Sequence, residues 1–240
     1  MMLRAGTFFF RYRNALFPLV FSMLYFEKAW PVFHNEQAKI WEIFIGIAVA
    51  LSGQTLRALT VGLVYIKRGG KNKQVYAEKL VQSGIFSHSR NPLYLGNLLI
   101  LVGVGIVSNS LLFVVFGLPF FVFAYLSIIH AEENYLRNKF GQEFKDYCSR
   151  VNRIIPSLSG MGSTIRSMEF HWKRLIVKEY ATPYAWIMGT TILIVRHQYH
   201  RWGCEGSKNS MIGAGIFLLF VTAAFFVVWY LKKHKILRPD

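Results

Sequence analysis

Apolar residues in this chain gather in long unbroken stretches, with polar positions confined to the gaps between them. Stretches close to the ~20 residues that cross a bilayer occur at 14–33, 40–66, 92–108, 110–130, 178–196 and 211–231. The fifth is the weakest, because its strongly apolar part runs only from Tyr184 to Val195. Between the third and fourth, Ser108-Asn109-Ser110 leaves room only for a tight turn, which predicts an antiparallel hairpin packed along its length. After the fourth, Leu136, Phe140, Phe144, Tyr147 and Val151 recur at helical steps with Lys and Arg opposite them, the pattern of an amphipathic helix at the inner interface. The predicted fold is all-α: a polytopic transmembrane bundle of about six spans with a cytoplasmic juxtamembrane amphipathic helix.

Composition agrees with this class. Charged residues make up 17% of the chain, well below the roughly 25% of soluble domains. The net charge of +16 raises nucleic acid as a partner, but its distribution argues for membrane topology instead. Arg4, Arg11 and Arg13, then Lys67, Arg68, Lys71, Lys73, Lys79 and Arg90, then eight more Lys and Arg between 131 and 177, and finally Lys232, Lys233, Lys235 and Arg238 all fall on one side. That is the positive-inside pattern, with both termini cytoplasmic in an inner, plasma or endomembrane. Bulky Tyr25, Phe26 and Trp30 follow the first apolar stretch where a cleavage site would need small residues, so this span is expected to be retained. Cys148 and Cys204 fall on opposite faces and are not expected to pair. Three parts follow: 1–39 with the first span, 40–156 as a core, and 157–240 as an extension with two further spans, joined through a linker at 157–167.

Chemistry concentrates in two places. Arg90-Asn91-Pro92-Leu93-Tyr94-Leu95-Gly96 opens the third span: Asn suits an N-cap and Pro the first helical position, so free N–H groups and Arg90 would face an anion there. A capped helix with Arg90 among lipid headgroups fits the same residues. Glu132 and Glu133 stand where the fourth span ends, against the helix dipole and an anionic leaflet, and call for a cationic or donor partner such as Arg90, Arg137 or a ligand. A solvated helix end is the alternative. Arg57, with Gln54, lies inside the second span, roughly 15 Å from its inner end. An arginine at that depth needs a partner, for which Glu132, Glu133 or an anionic substrate group are candidates. Gly96, Gly103 and Gly105 allow close approach of a helix or of a ligand. His197 and His200 lack further metal ligands, and no Walker loop, GxGxxG or nucleophile–base set is recognisable.

At these residues the chain resembles the isoprenylcysteine carboxyl methyltransferase and phospholipid methyltransferase superfamily of integral membrane enzymes. The resemblance rests on Gly84, RNPLYLG, Gly103-Val104-Gly105, Glu132-Glu133-Asn134-Tyr135-Leu136, Phe140-Gly141 with Phe144 and Tyr147, and the closing Ile155-Pro156. It covers roughly 40–156. It implies S-adenosylmethionine held at the cytoplasmic face by Arg90, Asn91, Pro92, Tyr94, Gly103, Gly105, Glu132 and Glu133, and a lipid or lipidated acceptor entering from the bilayer. Arg57 would suit an anionic acceptor, and an amine acceptor would need a Glu or His base, so Arg57 and Glu133 are the residues expected to act in the transfer. The readings to weigh are carboxyl methylation, phospholipid N-methylation, an NADPH-dependent sterol-reductase-like enzyme (on Phe140-Gly141, Tyr147-Cys148 and Ile154-Ile155-Pro156), and a non-enzymatic membrane protein. Asn91 stands where many members have His, and the two C-terminal spans have no counterpart in the family core.

Overall fold

The computed structural model describes residues 1–26, 36–64 and 75–238. Lys67, Arg68, Lys71 and Lys73 of the charge pattern, and the far ends of the first two predicted spans, lie outside the described residues. Helices α1 (Met2–Phe26), α2 (Glu36–Leu63), α3 (Pro92–Ser108), α4 (Leu118–Arg150), α5 (Met161–Ser167), α6 (Trp172–Glu179) and α7 (Ala181–Lys233) follow one another, with no strand among the described residues. Ile40–Leu63, Phe113–Arg150 and Ala181–Lys233 are long and apolar enough to cross a membrane, and α3 is a shorter apolar helix. The protein is an all-α membrane bundle, as its apolar stretches predict.

Local chemistry explains the helix ends and bends. Pro92 takes the first position of α3, where its missing N–H costs nothing. Asn91 precedes it but does not cap: its side-chain amide donates instead to the Arg153 carbonyl (2.9 Å). A π turn, Phe113–Gly117, occupies the stretch leading up to Pro119, where the helix is expected to bend. The predicted amphipathic segment is the end of α4, set off from it at Gly141 (φ 53°, ψ −116°), a conformation open to glycine. That bend turns Phe144 and Tyr147 inward. Gly203 (φ 67°, ψ −172°) does the same for α7. The fifth and sixth predicted spans are its two arms, folded back so that Phe225 lies 5.1 Å from Tyr180 and 4.3 Å from Tyr184.

Packing departs from sequence order. In lipid, where burial of apolar surface drives little between helices, close backbone approach matters most. It is closest between α2 and α3, where a Cβ on Gly46 would stand 2.6 Å from the Gly103 carbonyl oxygen and one on Gly53 would crowd the Gly96 carbonyl. The α4 helix packs on α1 through edge-to-face pairs, Phe9 on Phe120 at 5.7 Å and Phe17 on Phe121 at 5.2 Å. Contacts between α3 and α4 are few by comparison. The hairpin expected to pack along its length is therefore splayed from its buried turn at Ser108–Ser110, each arm drawn to a different neighbour.

Close packing at Gly103 predicts that Gly103→Val costs about 1–3 kcal/mol through overpacking, whereas Gly213→Ala, with open space around it, is neutral or slightly stabilising. Thermal melts of both variants in detergent measure the difference, with a lowered midpoint expected only for the first.

Candidate active site

Between the splayed α3 and α4 lies a cavity of about 890 Å³. Its charged half collects the two motifs. Arg90, Asn91, Pro92 and Tyr94 reach it from the start of α3, and Glu132 and Glu133 from α4. The loop before α3 is strapped to the segment after α4. Arg90 N–H donates to the Asn152 carbonyl (2.9 Å), Ser157 N–H to His88 (3.0 Å), and Ser89 Oγ to the Ile154 carbonyl (2.7 Å). Tyr147 Oη adds a bond to the Phe86 carbonyl (2.7 Å). The Ile155-Pro156 end of the motif series thus belongs to a clamp that positions Arg90.

Within the clamp, Arg90 Nη1 stands 3.2 Å from Glu133 Oε1, and Arg153 Nη2 stands 3.0 Å from Glu133 Oε2. Glu132 has a different partner: the Tyr94 hydroxyl donates to it at 2.6 Å. The Tyr94 ring in turn lies 5.5 Å from that of Tyr125. The adjacent carboxylates, about 100° apart around a helix, have separate duties, one in an ion-pair network and one under a phenol. Arg90 Nε is buried and finds no acceptor among the described residues. The Leu93 and Tyr94 amides sit in the first turn of α3, where helical N–H groups have no partner within the helix. Donors and carboxylates facing one space can take a zwitterion.

The other half of the cavity is apolar. Phe10, Phe17 and Phe21 of α1, Ile100 and Leu101 of α3, Phe121 of α4 and Trp186 of α7 line it. Trp186 is held by its indole N–H, which donates to Gln54 Oε1 at 3.2 Å.

Arg57 lines the cavity, yet its charge is met elsewhere. Its Nε and Nη2 make a two-pronged contact with Glu179, both at 3.0 Å, and each residue is only 2% exposed. Nη1 reaches the Leu93 carbonyl (3.3 Å) and Asn97 Oδ1, and Nη2 reaches Thr182 Oγ1 (3.3 Å). The partner is neither Glu132 nor Glu133. Gly96, the last residue of RNPLYLG, leaves space for the Arg57 stem. Gly103 and Gly105 face Gly46 with Ala50 and Phe113 respectively, and neither lines the cavity. His88 is tied to the Ser157 carbonyl and Thr164 (both 2.9 Å), and His130 is exposed, so neither histidine enters the site. Among the described residues no group of three His, Cys, Asp or Glu stands close enough to hold a metal ion.

Four contributors escaped the sequence reading: Arg13 and the aromatic face of α1, Asn97, Arg153, and the Glu179–Trp186 stretch. Only Glu179 had a visible signal. It is an acid inside the fifth apolar stretch, opposite in charge to the arginine inside the second.

Residues 41–143 match the phospholipid methyltransferase family. The superfamily resemblance read from the motifs therefore holds over most of the core. Two curated relatives match about half of the chain. One is the cobalt-zinc-cadmium resistance protein CzcN of Cupriavidus metallidurans, 32% identical over 48% of this chain and 48% of the relative. The other is the nickel-cobalt-cadmium resistance protein NccN of Alcaligenes xylosoxydans xylosoxydans, 28% identical over 52% and 57%. The chain spans about half the length of these relatives. No solved structure matches.

Removing one member of a buried ion pair strands the other charge. Glu179→Ala should therefore destabilise the fold by about 3–5 kcal/mol, while Arg57→Leu with Glu179→Leu should recover most of that loss. Unfolding of the three proteins in mixed micelles, followed by circular dichroism, tests this, and equal losses in the single and double variants would contradict it.

Proposed function

We propose that the protein is an integral membrane methyltransferase that holds S-adenosylmethionine in the charged half of the cavity and a lipid or lipidated acceptor in the apolar half, the active site facing the cytoplasm. The observation that carries this reading is continuity. One cavity joins Arg90, Tyr94, Glu132 and Glu133 to Phe17, Phe21, Ile100 and Phe121, and the charged end lies inside the family-matched segment. Its volume stands near the upper end of the ~300–1,000 Å³ range of ligand pockets, large enough for a cofactor together with part of an acceptor.

The residues present fit that cofactor. Arg90, with its unsatisfied Nε, and the first turn of α3 would take the carboxylate. Glu132, engaged among the described residues through the Tyr94 phenol, would take the ammonium or the ribose hydroxyls. Glu133 and Arg153 keep Arg90 in place. When bound, the cofactor supplies an activated methyl on a sulfonium for in-line transfer to a nucleophile. The protein's part is alignment and exclusion of water by the aromatic wall. A carboxylate acceptor arrives ionised, whereas an amine must shed a proton, for which Glu132 and Glu133 are the nearby bases. Arg57, engaged on three sides, serves as a positioning residue that fixes the Leu93 carbonyl and hence the start of α3. Gly103 and Gly105 act through helix packing alone.

Glu132→Ala and Arg90→Ala should each weaken S-adenosylhomocysteine binding by about tenfold or more, the effect of losing one charged hydrogen bond. Isothermal titration of the detergent-purified protein measures it. Wild-type affinity in both variants would remove the site assignment. Stabilisation by NADPH but not by S-adenosylhomocysteine would replace it with a reductase.

A further inference from the structure

Most charges around the cavity are answered within the protein. Arg57 is paired with Glu179, Arg90 and Arg153 with Glu133, and Glu132 accepts from Tyr94. Two lining cations make no ion pair or hydrogen bond within the described residues: Lys79, exposed on the loop before α3, and Arg13, half-buried on α1. Arg13 rests over the Phe10 ring, with its guanidinium carbon 4.4 Å from the ring centre. Arg13 lines the same cavity as Tyr94, Tyr125 and Glu132.

Arg13 also stands at the head of an aromatic track. One turn further along α1, Phe17 stacks edge-on against Phe121 and Tyr125, both at 5.2 Å, and Phe21 follows one turn beyond. Trp186 of α7 lines the same apolar half. Arg13, Phe17, Phe21 and Trp186 lie outside the family-matched segment 41–143, whereas Phe121 and Tyr125 lie inside it, as do the Arg90–Glu133 and Tyr94–Glu132 contacts. Since Arg13 makes no ion pair or hydrogen bond within the described residues, its guanidinium fork can take an anion brought by a ligand, and that fork suits a carboxylate or phosphate.

We propose that Arg13 and the Phe17–Phe21 face of α1 form the acceptor subsite and select an amphiphile with an anionic head, carboxylate or phosphate, and an apolar tail. This rests on the reading of the cavity as a methyltransferase site. The head group sits at Arg13, and the tail runs along Phe17 and Phe21 toward the bilayer. No side chain of the family-matched segment is needed to recognise the charge of the acceptor. The residue that chooses the substrate is then separate from those that hold the cofactor.

Native mass spectrometry of the full chain in a neutral detergent, with palmitate, lysophosphatidate and hexadecanol as probes, tests this, alongside titration with S-adenosylhomocysteine. The wild type should retain at least one of the two anionic probes in preference to hexadecanol, and which one it retains identifies the head group. Arg13→Gln should lower that retention by roughly tenfold and leave S-adenosylhomocysteine affinity within about twofold, whereas Arg13→Lys should keep part of the preference. Unchanged anion preference in Arg13→Gln overturns the proposal. So does loss of S-adenosylhomocysteine binding in a folded Arg13→Gln, since that would move Arg13 into the cofactor half. If the wild type binds the anionic probes through Arg13 but takes no S-adenosylhomocysteine, the subsite stands and the methyltransferase reading falls.

Discussion

The buried pair of Arg57 and Glu179 is the constraint to which the rest of the bundle answers. A guanidinium at 2% exposure among apolar helices is tolerable only when its donors are nearly all met. Here they are met from three helices: Asn97 and the Leu93 carbonyl on α3, Glu179 at the end of α6, and Thr182 in the first turn of α7. One side chain therefore fixes the angle of α3 against α2 and anchors the C-terminal helices to both. Gly53 and Gly96 are small for the same reason, since the arginine stem and two backbones share that crossing.

With α3 committed to α2, α4 is free to pair elsewhere, and the aromatic edge of α1 receives it. The cavity is the space this division leaves. Its polar end is closed by the clamp between residues 83–91 and 151–157, in which backbone bonds at Arg90 and Ser157 are joined by the Ser89 hydroxyl and the Asn91 amide, each donating to a backbone carbonyl. Asn91 takes part through its side chain, whose amide N–H braces the Arg153 carbonyl.

Much of the fold and part of the site were legible in the sequence, and the division follows the range of the interactions. The apolar stretches, the helix start at Pro92, the bend region at Pro119 and the stripe ending at Tyr147 depend on neighbours within a few turns, so periodicity and local chemistry expose them. RNPLYLG and Glu132-Glu133 could be read together because a short turn between two spans returns the chain to the same face. Lateral order of helices leaves no such local trace. Nothing near residues 103 or 105 distinguishes a glycine that meets Gly46 from one that meets a ligand. Glu179 shows only as an acid inside the fifth apolar stretch, and nothing close to Arg57 in the chain points 122 residues onward to it. The aromatic face of α1 reads the same whether it touches lipid or walls a cavity.

The order in which the walls are synthesised has a consequence of its own. The α2–α3 pair can assemble as soon as it emerges, but Arg57 then waits for a partner 122 residues further along. At about 5–20 residues per second, that is roughly ten seconds with an unanswered guanidinium inside a growing membrane bundle. Such an intermediate favours the insertion machinery or the water-lined interface over free lipid. Release into the bilayer is thereby tied to the arrival of Glu179, and a chain truncated before it would be retained as incomplete even with every family motif already in place.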